Sequence, residues 1–131
     1  MRLLLDTHFV FWLGVAPERL TDAEQALVGR DDSWLFASVV SLWELRVKWE
    51  RRFVSGARKG PAHPAEVLSS LRRNRIEILD LTATATVTDL QPAIEHGDPF
   101  DLLLLTQAQQ GGYRLLTRDE KLASHPIALV A

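Results

Sequence analysis

Apolar residues along this chain fall into two rhythms. Short apolar runs occur at residues 3–5, 34–37, 76–79, 113–116 and 127–130, and between them lie segments whose apolar residues recur every three or four positions. The first rhythm predicts buried strands and the second predicts helices packed on one face. Residues 9–13, closed by Gly14, read as a first helix, and Thr21 with Glu24 gives the signature of a capping box before a second over 22–28. Ser38 or Ser41 caps a third, in which Leu42, Leu45 and Trp49 make the inward stripe while Glu44, Lys48, Arg51 and Arg52 fall on another face. Pro64 opens a helix to about Arg73, and Thr82 caps one to about Leu90. Strands alternating with helices imply an α/β fold: a central, mainly parallel sheet of four or five short strands, with helices on both faces.

The stretch 96–108 is the most informative. Asp98 precedes Pro99, whose fixed φ suits a first helical turn, and two glycines stop the helix near Gly111. Four consecutive leucines follow Asp101, so most of the helix circumference is expected to be buried, and Asp101 shares a stripe with Leu105 and Ala108. A helix N-terminus favours an anion by only ~0.3 to 1 kcal/mol, whereas desolvating an unpaired carboxylate costs several. Asp101 therefore needs a partner, unless Asp98 caps, Asp101 assists it, and both remain hydrated.

Composition narrows the classes. A length of 131 residues suits one domain, residues 1–131, with a core large enough to need no staples. The absence of cysteine removes disulfides and thiolate metal sites and fits a reducing compartment. No apolar run approaches the roughly 20 residues of a membrane span, and the run after Met1 is too short for a signal-peptide core, so a cytoplasmic location is expected. With a formal charge of -2, any binding of a polyanion must rest on a local patch.

Ligands of open parallel sheets bind beyond the carboxyl ends of the strands. Asp6 and Asp119 each follow a strand directly, while Glu44 lies early in the third helix and Asp101 at the start of a later one. Each has an ordinary explanation: Asp6 and Asp119 as turn or cap residues, Glu44 as the partner of Lys48, Asp101 as a cap assistant. Were the four to converge, their repulsion would destabilise the fold unless a cation sat among them. All-oxygen ligation points to a hard divalent ion, magnesium or manganese.

The start Leu-Leu-Leu-Asp6-Thr7-His8, the segment Ser38-Val-Val-Ser-Leu-Trp43-Glu44, the helix start Asp98-Pro-Phe-Asp101 with its trailing Thr-Gln-Ala108, and Leu116-Thr117-Arg118-Asp119 resemble the ordered acidic motifs of PIN domains. The pattern is most similar to the VapC-type ribonuclease toxins of toxin-antitoxin pairs and covers essentially the whole chain. The resemblance implies a three-layer α/β/α domain that hydrolyses RNA as an endonuclease with one or two Mg2+ or Mn2+ ions. By position, Asp6 and Asp101 would be the principal metal ligands, Glu44 and Asp119 would complete the quartet, and Thr7 and Thr117 would support them. Asp98 is read as the cap, and His8 as a helix-start or packing residue. The implied partners are RNA, a second copy of the chain and a small antitoxin. Arg46, Lys48, Arg51, Arg52, Arg58 and Lys59, or a second cluster of Arg72, Arg73 and Arg75, could track a phosphate backbone or simply solvate two helices. The rival readings are a PIN nuclease of RNA processing and a catalytically silent α/β binding domain.

Overall fold

The computed structural model describes residues 1–95 and 97–131; His96, at the head of the 96–108 stretch, lies outside them. Five strands, β1 (Arg2–Leu5), β2 (Trp34–Ser38), β3 (Glu77–Leu79), β4 (Arg114–Leu116) and β5 (Ala128–Leu129), form one sheet in the order β3-β2-β1-β4-β5, and every pairing is parallel. Seven α-helices are described, α1 (Thr7–Val15), α2 (Asp22–Val28), α3 (Val39–Glu50), α4 (Pro64–Arg73), α5 (Ala83–Val87), α6 (Pro99–Gly111) and α7 (Glu120–Ala123), with a short 3-10 turn at Pro17–Arg19.

Side chains of adjacent strand residues point to opposite faces, and the sheet accordingly buries two cores. Leu5, Ala37 and Leu116 join Phe9 and Val10 of α1 and Val67 and Leu71 of α4 on one face. Leu4, Phe36 and Leu115 join Leu104 and Leu105 of α6 and Leu122 of α7 on the other. The layers are thus helix, sheet and helix, with α3 packed against α1, α4 and α6. Fully burying each of these aliphatic side chains contributes ~1.5 to 3 kcal/mol, so the central strands rather than local helix propensity hold the fold.

The predicted caps are realised. Asp98 accepts hydrogen bonds from the N–H groups of Phe100 and Asp101, Ser38 rather than Ser41 caps α3, and Thr21 and Glu24 form a reciprocal capping box. Gly112, with φ of 71°, takes the left-handed conformation that ends α6.

Several boundaries differ from expectation. The helix after Thr82 stops at Val87, because Thr88 turns extended. Strand β3 begins at Glu77 rather than Ile76, and β5 is only two residues long. Helix α1 runs through Gly14, where Val67 of α4 lies 3.0 Å from the position a Cβ would take; the glycine serves the helix contact rather than ending the helix. Leu102 of α6 stays exposed, and the buried face of that helix is Leu104 to Ala108.

Candidate active site

Register builds the site. Leu5 pairs with Ala37 on one side and Leu116 on the other, so Asp6, Ser38 and Thr117 leave three neighbouring strands at one sheet edge. The Asp6 N–H continues the ladder to the Leu116 carbonyl at 3.0 Å, bringing Asp6 and Thr117 side by side.

Both carboxylate oxygens of Asp6 are engaged. Oδ1 accepts from the N–H groups of His8 (3.0 Å) and Phe9 (3.3 Å), which makes Asp6 the N-cap of α1, and Oδ2 accepts from the Thr117 hydroxyl at 2.6 Å. The Thr117 hydroxyl oxygen in turn accepts from the Asp119 N–H at 3.0 Å, and Asp119 Oδ1 accepts from the Lys121 N–H at 2.9 Å as the cap of α7. Asp6 is only 5% exposed. Burial pushes its carboxyl above the ordinary value, against the opposing effects of the Thr117 hydroxyl and the two N–H groups.

A second buried carboxylate stands on α3. Glu44 is 6% exposed, contrary to its expected place on an outer polar face. Its Oε1 accepts from the Thr7 hydroxyl at 2.7 Å, Thr7 Oγ1 lies 3.1 Å from the Ser41 hydroxyl oxygen, and its Oε2 pairs with Lys48 Nζ at 2.8 Å. The Lys48 pairing expected one helical turn on is real, but it is the outer half of a buried arrangement rather than a plain surface pair. Thr7 and Thr117 thus fasten one acid each. Asp101 is half-buried in the first turn of α6, its N–H on Asp98 Oδ1 at 3.4 Å.

An open cleft of about 650 Å3 lies between α3 and the start of α6. Glu44, Lys48 and Arg51 line one wall, Asp98 and Phe100 another, and Lys121 of α7 contributes a cation that sequence reasoning missed. The expected basic group divides here. Lys48 and Arg51 face the cleft, whereas Arg46, Arg52 and Arg58 line a separate hollow with Trp49 and His63. Arg46 pairs with Glu50, Arg52 donates to the Gly56 carbonyl, and Arg58 stacks on Trp49 while donating to its carbonyl. Lys59 sits 5.3 Å from the centre of the Phe53 ring. Arg72 and Arg73 belong to the last turn of α4, and Arg75 follows it with a positive φ. His8 is exposed, with its ring stacked on Trp12 as a packing residue.

Arg118 is the other residue the sequence did not single out. Its guanidinium binds Glu24 through two nitrogens, donates to the Arg19 carbonyl and lies 4.1 Å from the centre of the Trp12 ring. The Arg118 hydrogen bonds hold the buried Glu24 carboxyl below its ordinary range. This clamp ties the segment between Thr117 and Asp119 to α1 and α2. The hint in the sequence was Glu24, which serves the capping box and the arginine at once.

The donors available are carboxylate and hydroxyl oxygens, the chemistry that suits magnesium or manganese. Among the described residues, no three acidic or histidine side chains stand close enough to form a ready metal cage. The chemistry of these donors suits a hard divalent ion.

A PIN domain family model matches residues 3–127. The chain belongs to the PIN domain family. A curated relative, Ribonuclease VapC22 of Mycobacterium tuberculosis, is 29% identical over 126 residues, covering 94% of this chain and 91% of the relative. Among solved structures, VapBC2 from Rickettsia felis bound to a promoter DNA fragment aligns with a TM-score of 0.64 at 21% identity, over 100% of this chain and 98% of that one. A toxin-antitoxin complex from Klebsiella pneumoniae aligns with a TM-score of 0.60 at 18% identity, over 97% and 95%. These structural likenesses establish the three-layer PIN fold expected from the sequence.

Asp6→Asn keeps a cap acceptor in this PIN domain but removes the buried charge. Because the Asp6 pKa is raised on folding, the folded chain holds that proton to higher pH, and stability falls as pH rises from the unfolded-state value through the folded one. Asp6→Asn should therefore be more stable than the parent in urea unfolding at neutral pH, with the difference shrinking as the solution is acidified. Equal stability at neutral pH would show that burying the carboxylate carries no penalty.

Proposed function

We propose that this PIN domain chain is a divalent-metal-dependent endoribonuclease, the toxin of a toxin-antitoxin pair. The observation that carries the reading is the pair of buried carboxylates, Asp6 and Glu44, each held by a threonine hydroxyl near the carboxyl edge of the sheet, with Glu44 lining a cleft that Lys48, Arg51 and Lys121 also line. Capping α1 accounts for Asp6 alone; burying a second acid, Glu44, nearby carries a desolvation cost that the fold does not need. The near full-length match to a relative named as a VapC ribonuclease, and the toxin-antitoxin complexes among the similar structures, support the same reading.

In this account Asp6 and Asp101 are the principal ligands of Mg2+ or Mn2+, and Glu44 and Asp119 complete the acidic quartet. The ion supplies Lewis-acid charge to offset the negative charge that builds on phosphate oxygen, and it makes water more acidic. Thr117 fixes Asp6, Thr7 fixes Glu44, Asp6 also caps α1, and the Asp98 cap holds the backbone at Asp101. Lys48, Arg51 and Lys121 give the cleft wall the positive charge that an RNA backbone requires. Arg46, Arg52, Arg58 and Lys59 could continue that path over the neighbouring hollow.

The partners are RNA, a second copy of the chain and an antitoxin polypeptide that covers the cleft. Residues 1–131 act as one catalytic domain in the cytoplasm. No described helix is long and apolar enough to cross a membrane.

Asp101→Asn should abolish RNA cleavage and growth inhibition together. The expected loss of activity is at least ~100-fold, because even outer-shell partners of a metal cost ~10- to 100-fold when removed. Unaltered cleavage by a folded Asp101→Asn variant would remove Asp101 from the machinery, and a parent chain that cleaves no RNA with Mg2+ or Mn2+ supplied would favour a silent binding domain. The division of the basic residues yields a second test, read by RNA binding across a salt series. Arg51→Glu should weaken binding and lower the salt slope by about one, and Arg52→Glu should do less. Equal losses would place the RNA path across both hollows.

A further inference from the structure

We propose that Lys48 is a built-in rival of the divalent cation for Glu44, and that it sets how tightly this PIN domain holds the ion. The inference rests on the metal-dependent reading given above. Glu44 has two oxygens and both have partners: Oε1 takes the Thr7 hydroxyl, and Oε2 takes the Lys48 ammonium at 2.8 Å. The Thr7 bond is internal to the buried layer. The Lys48 side chain is 41% exposed at the cleft, so Oε2 is the oxygen that can change partner.

The pairing follows from helix geometry. Residues 44 and 48 are one turn apart on α3, with the acid N-terminal to the base, the favourable orientation for such a pair. Lys48 is therefore tethered within reach of Glu44 whatever else is bound. An ammonium is a compact cation that can neutralise a carboxylate, but it cannot bridge several carboxylates as a divalent ion does. An ion taking Oε2 of Glu44 would compete with the Lys48 ammonium for that oxygen's charge. A displaced ammonium remains at a cleft that Arg51 and Lys121 also line, where a phosphate is the chemistry it would meet.

Competition at one oxygen makes a prediction that general electrostatics does not. Removing the Lys48 charge should strengthen cation binding only while Glu44 is present to be freed. Lys121 provides the comparison, since its ammonium lines the same cleft and no ion pair joins it to Glu44 among those described.

The test is isothermal calorimetry of Mn2+ alone with the full chain and its variants. Lys48→Met and Lys48→Gln should each bind Mn2+ about fivefold more tightly than the parent, and Lys48→Arg should bind as the parent does. In a Glu44→Gln background, Lys48→Met should bring no gain, and Lys121→Met should bring little in either background. Should Lys48→Met prove unstable, Lys48→Gln, which retains a hydrogen-bond donor for Oε2, carries the same comparison. Unchanged affinity in a Lys48→Gln variant that folds, beside clear binding by the parent, overturns the role of Lys48 and leaves the metal reading standing. A gain that persists with Glu44→Gln also overturns it, because the effect would then be general charge. If neither parent nor variants bind Mn2+, the metal reading falls and this inference falls with it.

Discussion

The parallel register of β1 between β2 and β4 is the constraint from which the rest follows. It ends three strands at one level, so that residues 6, 38 and 117 emerge as neighbours although up to 111 positions separate them in sequence. Each emerging residue then caps or supports what comes next: Asp6 caps α1, Ser38 caps α3, and Thr117 joins Asp6 to the backbone of Asp119. The same hydrogen bonds that start the helices aim the carboxylates. A slip of one residue in β1 would exchange the two cores and turn Asp6 away from Thr117.

This arrangement carries a cost. Asp6 is buried with its charge penalised, and Glu44 is buried on a helix that also contributes Leu45 to the core. The edge is held by features that do no chemistry themselves. Arg118 fastens the loop after β4 to Glu24 and Trp12, and Leu4, Leu5, Leu115 and Leu116 are fully buried beneath it. A rigid apolar platform under a polar rim lets a chain keep charges where solvation alone would not.

Much of this was legible because it is local or periodic. The strand runs, the Asp98 cap, the Thr21 and Glu24 box and the alternation that implies a parallel sheet each follow from spacing within a few residues. Burial of Glu44 was not legible, since its outward polar neighbours on α3 disguise a position closed from outside by Thr7 of another element. Arg118 was missed because its partners, Glu24, Arg19 and Trp12, belong to distant segments, and Lys121 because the cleft it lines is formed with α3 and α6. The basic residues after Glu44 looked like one group in sequence. The turn at Gly56 and the stacking of Arg58 on Trp49 divide them between two hollows.

The central claim is that acids from a strand end and a distant helix start share one divalent ion at the rim. Anomalous scattering from crystals soaked in Mn2+ addresses it most directly. The account predicts one strong peak bonded to carboxylate oxygens of both Asp6 and Asp101. A saturating soak that leaves Asp6 without a peak, or that puts the ion on residues away from the rim, would contradict it.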